Sequence, residues 1–190
     1  FEHFYLTPRG LTYDLQRYTN DLVSPPELSA EQIRINEEFW QRAEREALAP
    51  LDELLAYTQR AETGVRAWLM EKLHLQRQSI RPAVVVGQFY SRALNYWGVE
   101  LQRRGDPAAR ERAGHYFVRA RQMNPENIVA QLNEQFLQAR REGRPVAPKL
   151  SRTVEDQFGK YRSWNQVLND LGPFEDPNLC FELGRVMAQG

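Results

Sequence analysis

The sequence predicts an all-α fold of stacked helical hairpins, preceded by a short non-helical N-terminal segment. Three observations predict it. From Ser29 onward apolar residues recur at helical spacing, and the runs are punctuated by helix-start and helix-stop residues. Between Gly87 and Asn127, small residues at Gly98, Ala113 and Ala120 alternate with Leu94, Trp97, Leu101 and Phe117. Such alternation lets two helix backbones approach to ~8–10 Å. Part of the pattern then returns at a constant offset of 38 residues. Leu132-Asn133 follows Leu94-Asn95, and Arg141-Glu142-Gly143 follows Arg103-Arg104-Gly105.

Bulk properties narrow the function. The chain has 190 residues, 42% of them hydrophobic, enough for one domain with a substantial core. Its 25 basic and 25 acidic residues give a net charge of +0, which argues against nucleic-acid binding built on phosphate neutralisation. The single cysteine, Cys180, excludes an intrachain disulfide. No apolar run approaches the ~18 residues that span a bilayer. A soluble domain is therefore expected, with no membrane insertion of its own, and its compartment stays unassigned. The chain begins with Phe1 rather than Met, so it reads as processed or as a piece of a longer protein.

Residues 1–28 read as an extended arm or hairpin. Phe4-Tyr5-Leu6 and Leu11–Leu15 favour strands, and Pro8-Arg9-Gly10 signals a turn. Ser29-Ala30-Glu31-Gln32 is a capping box that starts a helix. Ile33, Phe39, Trp40, Ala43 and Ala47 form its apolar stripe, and the adjacent Glu37 and Glu38 read as part of its solvated face. Pro50 opens a second helix striped by Leu51, Leu54 and Leu55, which continues with interruption at Gly64 through Val65, Trp68, Leu69 and Leu73.

Pro82 launches the longest helix, with Val86, Phe89, Ala93, Trp97 and Leu101 on its buried side. Asp106-Pro107 starts the next one: Asp accepts from free N–H groups, and Pro suits the first helical position. Pro125 ends it. Ile128, Val129, Leu132, Phe136 and Ala139 stripe a further helix. An irregular segment, Arg144–Pro148, follows; a helix then runs from near Thr153 through Phe158, Tyr161, Trp164, Val167 and Leu171 to Gly172-Pro173. Asp176-Pro177 and Phe181–Gly184 echo Asn124-Pro125 and Tyr96–Gly98.

Leu94, Trp97, Gly98 and Leu101, followed by Ala113, Phe117, Ala120 and Pro125, resemble the signature of a tetratricopeptide repeat, with a connection about three residues longer than the ~34-residue unit requires. The resemblance implies an α-α superhelix, a TPR-like solenoid. It divides the chain into the N-terminal segment (1–28), a helical region packing on the repeats (29–81), and repeats over 82–190. The repeats carry an insertion around 143–160, and the last unit is incomplete.

In this family the concave groove is lined by positions of the first helix of each unit. Here these correspond to Arg92, Asn95, Val99, Gln102 and Arg103, then to Ala130, Asn133, Leu137, Arg140 and Arg141. Asparagines and arginines so stacked resemble grooves that hold the carboxylate end of a peptide, a role that suits the planar fork of Arg. The expected partner is thus a protein or peptide, and the resemblance implies one with an anionic group or free C-terminal carboxylate.

Phe4–Tyr13 and Tyr90–Gly98 also resemble, more weakly, the soluble tail of bacterial multi-pass membrane proteins related to glycosyltransferases. If so, the chemistry lies outside this chain. His3, His74, His115 and Cys180 are scattered without metal-ligand spacing, and no phosphate loop or nucleophile elbow occurs. No catalytic residue, metal or cofactor is therefore expected. Three functions follow: a non-catalytic scaffold for protein or peptide interaction, an accessory domain of a membrane enzyme, or self-association through the open end at 177–190.

Overall fold

The structure is a computed structural model that describes residues 4–18, 25–59, 72, 80–143 and 158–174. It begins with an antiparallel hairpin of strands β1 (Phe4–Arg9) and β2 (Thr12–Arg17). The first helical stretch comprises α1 (Ala30–Ala43), a π-helical turn (Glu44–Leu48) and α2 (Ala49–Gln59). Then come α3 (Arg81–Arg103), α4 (Pro107–Met123), α5 (Ile128–Arg141) and α6 (Trp164–Leu171). The described chain is mostly helical. The continuation through Val65, Trp68 and Leu73, the Arg144–Pro148 insertion, the Asp176–Gly184 echo, His3, His74 and Cys180 lie outside the described residues.

The N-terminal segment is a hairpin, closed by Gly10-Leu11. It is fastened to α1 by the buried Asn36. The Asn36 Oδ1 accepts from the Gly10 N–H at 2.8 Å, and its Nδ2 donates to the Pro8 carbonyl at 2.9 Å. Leu6 pairs across the hairpin with Leu15, and both stay exposed.

The capping box at Ser29 forms in full. The Gln32 N–H donates to Ser29 Oγ at 3.2 Å, and the Ser29 N–H donates to Gln32 Oε1 at 2.7 Å. Ile33, Trp40 and Ala43 are buried. Glu37 departs from its expected place on the solvated face. Only Glu38 stays there, paired with Arg34 at 2.6 Å. The Glu37 carboxylate accepts from Trp97 Nε1–H at 3.1 Å and from the Tyr116 hydroxyl at 3.4 Å. Residues one apart on a helix differ in direction, so Glu37 reaches the edge of the buried stripe, where two amphipathic aromatic rings need an acceptor.

Pro50 does not open a separate helix. The backbone stays helical from Ala30 to Gln59. Proline lacks an N–H and crowds the carbonyl four residues earlier. The π-helical turn immediately before it absorbs the conflict, with the Ala49 N–H reaching back to the Glu44 carbonyl.

The helices α3 and α4 form the central hairpin. Asp106 caps α4 by accepting from the Ala109 N–H at 2.8 Å. Gly98 is where the two rods meet: a Cβ there would stand 2.5 Å from Phe117 Cε1, well inside van der Waals contact. Ala113, Phe117 and Ala120 are fully buried on the facing side. The N-terminal half of α3 departs from expectation. Val86 and Phe89 are exposed, Phe89 to 63%, and the seam runs instead along Ala83, Gly87 and Ser91. Small residues take this seam because α2 and the end of α4 approach closely: a Cβ on Gly87 would lie 2.6 Å from the Met123 carbonyl.

On α5 the buried side comprises Ile128, Val129, Ala130, Asn133 and Leu137, while Leu132, Phe136 and Ala139 are only half-buried. Thr153 lies outside the described residues; the helix expected to run on from it is broken over 159–163, after a helical Phe158, and α6 begins at Trp164. Ser163, in extended conformation, caps it by accepting from the Gln166 N–H at 3.3 Å. Phe158, ahead of that break, joins a second apolar cluster with Ile128, Val129, Val167, Leu171 and Phe174.

Candidate functional site

The face shared by α3 and α5 brings together Arg92, Asn95 and Asn133 of the residues that the sequence marks as a groove. Its centre is a pair of asparagines 38 residues apart. Asn133 Nδ2 donates to Asn95 Oδ1 at 2.8 Å, and both side chains are buried. The 38-residue offset in sequence is thus a side-by-side contact in space.

These amides do not face open solvent. They grip the main chain at the end of α6. Asn95 Nδ2 donates to the carbonyls of Leu171 and Pro173, each at 3.1 Å, and Asn133 Nδ2 donates to that of Pro173 at 3.0 Å. Asn127 joins them: its Nδ2 reaches the Leu171 carbonyl at 3.2 Å and Ser91 Oγ at 2.9 Å, while its Oδ1 caps α5 by accepting from the Ala130 N–H. Arg92 donates to the Asn169 carbonyl at 2.6 Å.

The seated segment is shaped for this contact. Gly172 has φ +92 and ψ −176, a region that residues with a Cβ scarcely visit. A Cβ there would also meet Asn95 Nδ2 at 2.8 Å. Gly172 therefore both ends the helix and lets its terminal carbonyls lie against the asparagines.

The remaining predicted residues separate from this centre. Val99, Ala130 and Leu137 are core residues. Gln102 is buried as well, and neither atom of its side-chain amide has a partner among the described residues. Arg103, Arg140 and Arg141 are exposed near the C-terminal ends of α3 and α5. Arg103 pairs with Glu100 at 2.7 Å, and Arg141 donates to the Arg110 carbonyl at 2.9 Å. The amide-lined middle of the α3–α5 face is thus occupied by the end of α6, while Arg141 turns toward α4.

Two further features border it. A cleft of about 350 Å³ opens beside the seated segment, lined by Phe89, Arg92, Glu126, Tyr161 and Asp170 among others. Burial pushes the Tyr161 hydroxyl up, and the Asp170 and Glu126 carboxylates push it further. On the hairpin side, Tyr13 packs edge-on against Tyr96 at 4.8 Å. Burial raises the Tyr13 and Tyr96 hydroxyls and also the Glu100 carboxyl, which Arg103 partly offsets.

Sequence reasoning missed Ser91 and Asn127 in the asparagine cluster. Asn127 carried a signal, since it directly precedes an apolar helical run as a cap should. It also missed Arg119, which is nearly buried on α4. The Arg119 guanidinium binds Asp52 at 2.6 Å and Glu44 at 2.9 Å. Among the described residues no cluster of three or more metal-binding side chains occurs, and no helix is long and apolar enough to cross a membrane. Comparison with protein-family models, curated proteins and solved structures finds no match.

Proposed function

We propose that the chain is a non-catalytic, TPR-like helical scaffold that binds a protein or peptide along the α3–α5 face. One observation carries this reading: two asparagines 38 residues apart meet and together hold the main chain at the end of α6 by its carbonyl groups. Each of the Leu171 and Pro173 carbonyls accepts from two asparagine amides. Backbone carbonyls occur in every polypeptide, so this chemistry suits peptide binding in general.

The stretch from Asn169 to Pro173 fills the middle of the face. An incoming peptide would therefore approach the C-terminal ends of α3 and α5, where Arg103, Arg140 and Arg141 are exposed. An acidic or carboxylate-terminated partner fits there, because guanidinium groups pair with carboxylates in bidentate fashion.

Fluorescence anisotropy tests this with a labelled pentapeptide that ends in two acidic residues and a free carboxylate. Binding that falls about tenfold in Arg140→Ala, and again in Arg103→Ala with Arg141→Ala, supports the assignment. Affinity unchanged by all three substitutions, or equal affinity for the lysine-ended counterpart, removes it.

A further inference from the structure

The cleft of about 350 Å³ beside the end of α6 has a lining that the fold itself does not use up. It opens between the N-terminal half of α3, the turn from α4 to α5, and Tyr161 with the last turn of α6. Its apolar part is Phe89, 63% exposed, together with Tyr161 and Leu171. Two exposed carboxylates, Glu126 and Asp170, complete the lining on the polar side. Neither carboxylate forms an ion pair or hydrogen bond among the described residues. They converge on one hydroxyl: burial raises Tyr161 first, and both carboxylates raise it further.

Asp170 runs against the electrostatics of its own helix. It lies in the last turn of α6, where free carbonyls make the helix end negative, and that turn holds no basic residue. Arg92 is the cation of the lining, but its Nη1 donates to the Asn169 carbonyl at 2.6 Å, and it forms no ion pair among the described residues. Asn124 contributes a donor. The residue is 7% exposed, and its Oδ1 accepts from the Glu126 N–H at 3.2 Å. That bond leaves Nδ2 as the free end of the amide on the cleft. It has no partner among the described residues and, unlike the amide of Gln102, is not fully enclosed. The cleft thus offers an aromatic wall, two carboxylates without a counterion and a held donor.

We infer that this cleft binds a lysine side chain presented by a peptide. The alkyl stem would lie over the Phe89 and Tyr161 rings, and the ammonium would pair with Glu126 and Asp170. The main-chain carbonyl of the same lysine would accept from Asn124 Nδ2. An ammonium suits the pair better than a guanidinium, because it is a compact charge whose rotatable donors two separate carboxylates can share. This site has no residue in common with the exposed Arg103, Arg140 and Arg141, so either can fail alone.

The test is a titration of ¹⁵N-labelled protein with Nα-acetyl-lysine methylamide, read at the Asn124 side-chain amide resonances. A molecule of this size at ordinary ligand efficiency binds with a Kd on the order of 1 mM. A saturable shift is expected, weakened about fivefold when Glu126→Gln and Asp170→Asn together neutralise the two exposed carboxylates. Nα-acetyl-norleucine methylamide, with the same stem and no charge, should give no saturable shift. Pentylamine, which keeps the stem and ammonium but lacks the carbonyl, should bind more weakly than the lysine derivative. No saturable shift by about ten times the expected Kd overturns the proposal, as does equal binding of the norleucine derivative or indifference to the paired substitution. Equal binding of pentylamine overturns it too, by assigning the cleft to free amines and leaving the Asn124 donor without a role.

Discussion

The central α3–α4 hairpin is covered from two sides, and the two covers are held by different chemistry. On one side α1 and α2 are fixed by charge: Arg119 spans Glu44 and Asp52, and Glu37 receives the Trp97 and Tyr116 donors. On the other side the end of α6 is held by its main-chain carbonyls, chiefly through neutral amides, with Arg92 adding a charged donor at Asn169. Charged contacts of the first kind demand particular partners at particular positions, and leaving one member behind is expensive. Amide-to-carbonyl contacts demand only a backbone of the right course, here a helix end turned by a glycine, and no particular side chain. The first cover is specific to this chain; the second could be exchanged for another polypeptide of similar shape.

The largest test of this difference is Arg119→Ala. Glu44 and Asp52 keep 43% and 42% side-chain exposure, so they can recover some hydration, but the ionic tie is lost from an almost buried position. A loss of about 3 kcal/mol in urea unfolding is expected. A loss below about 1 kcal/mol would put Arg119 on a par with a surface pair and erase the contrast.

Asn133→Ala should cost less, about 1–2 kcal/mol, because Asn95 still serves the Pro173 carbonyl. The effect should also be local. Amide hydrogen exchange in α6 is expected to quicken, while α3 and α4 keep their protection. Uniform loss of protection across all three helices would mean that the second cover is as integral as the first.

The smallest effect concerns pH. Burial raises the Glu100 carboxyl, so the folded state binds a proton more readily there than the unfolded state does. The stability linked to this group is present in acid and declines as pH rises through its folded-state pKa. Glu100→Gln should therefore raise the melting temperature at neutral pH, with the gain vanishing near about pH 4. A gain that is independent of pH would assign it to packing instead. Asn133→Ala should show no such pH dependence, since amides do not titrate in this range.

Local chemistry was legible in the sequence. Ser29–Gln32 and Asp106-Pro107 marked their helix starts by residue type alone, and Gly98 with Ala113 and Ala120 marked the tight approach. The recurrence of Leu-Asn marked Asn95 and Asn133 as equivalent, but not what they would hold, because the carbonyls come from residues 76–78 positions beyond Asn95. Arg119 was hidden for the same reason: its carboxylates lie 67 and 75 residues away. The orientation of α3 failed differently. Size favoured burying Val86 and Phe89, whereas close approach by neighbouring backbone favoured Ala83 and Gly87, and proximity won.

Pro50 sets the phase of everything that follows it in the first long rod. The wide turn before it inserts roughly one residue relative to regular α-helical winding, so Glu44 and Asp52, eight apart, come to share one azimuth and one guanidinium. Replacing the proline with alanine would permit ordinary winding and rotate the second half of the rod away from its counterion. A substitution that usually strengthens a helix would then loosen the junction that this helix serves.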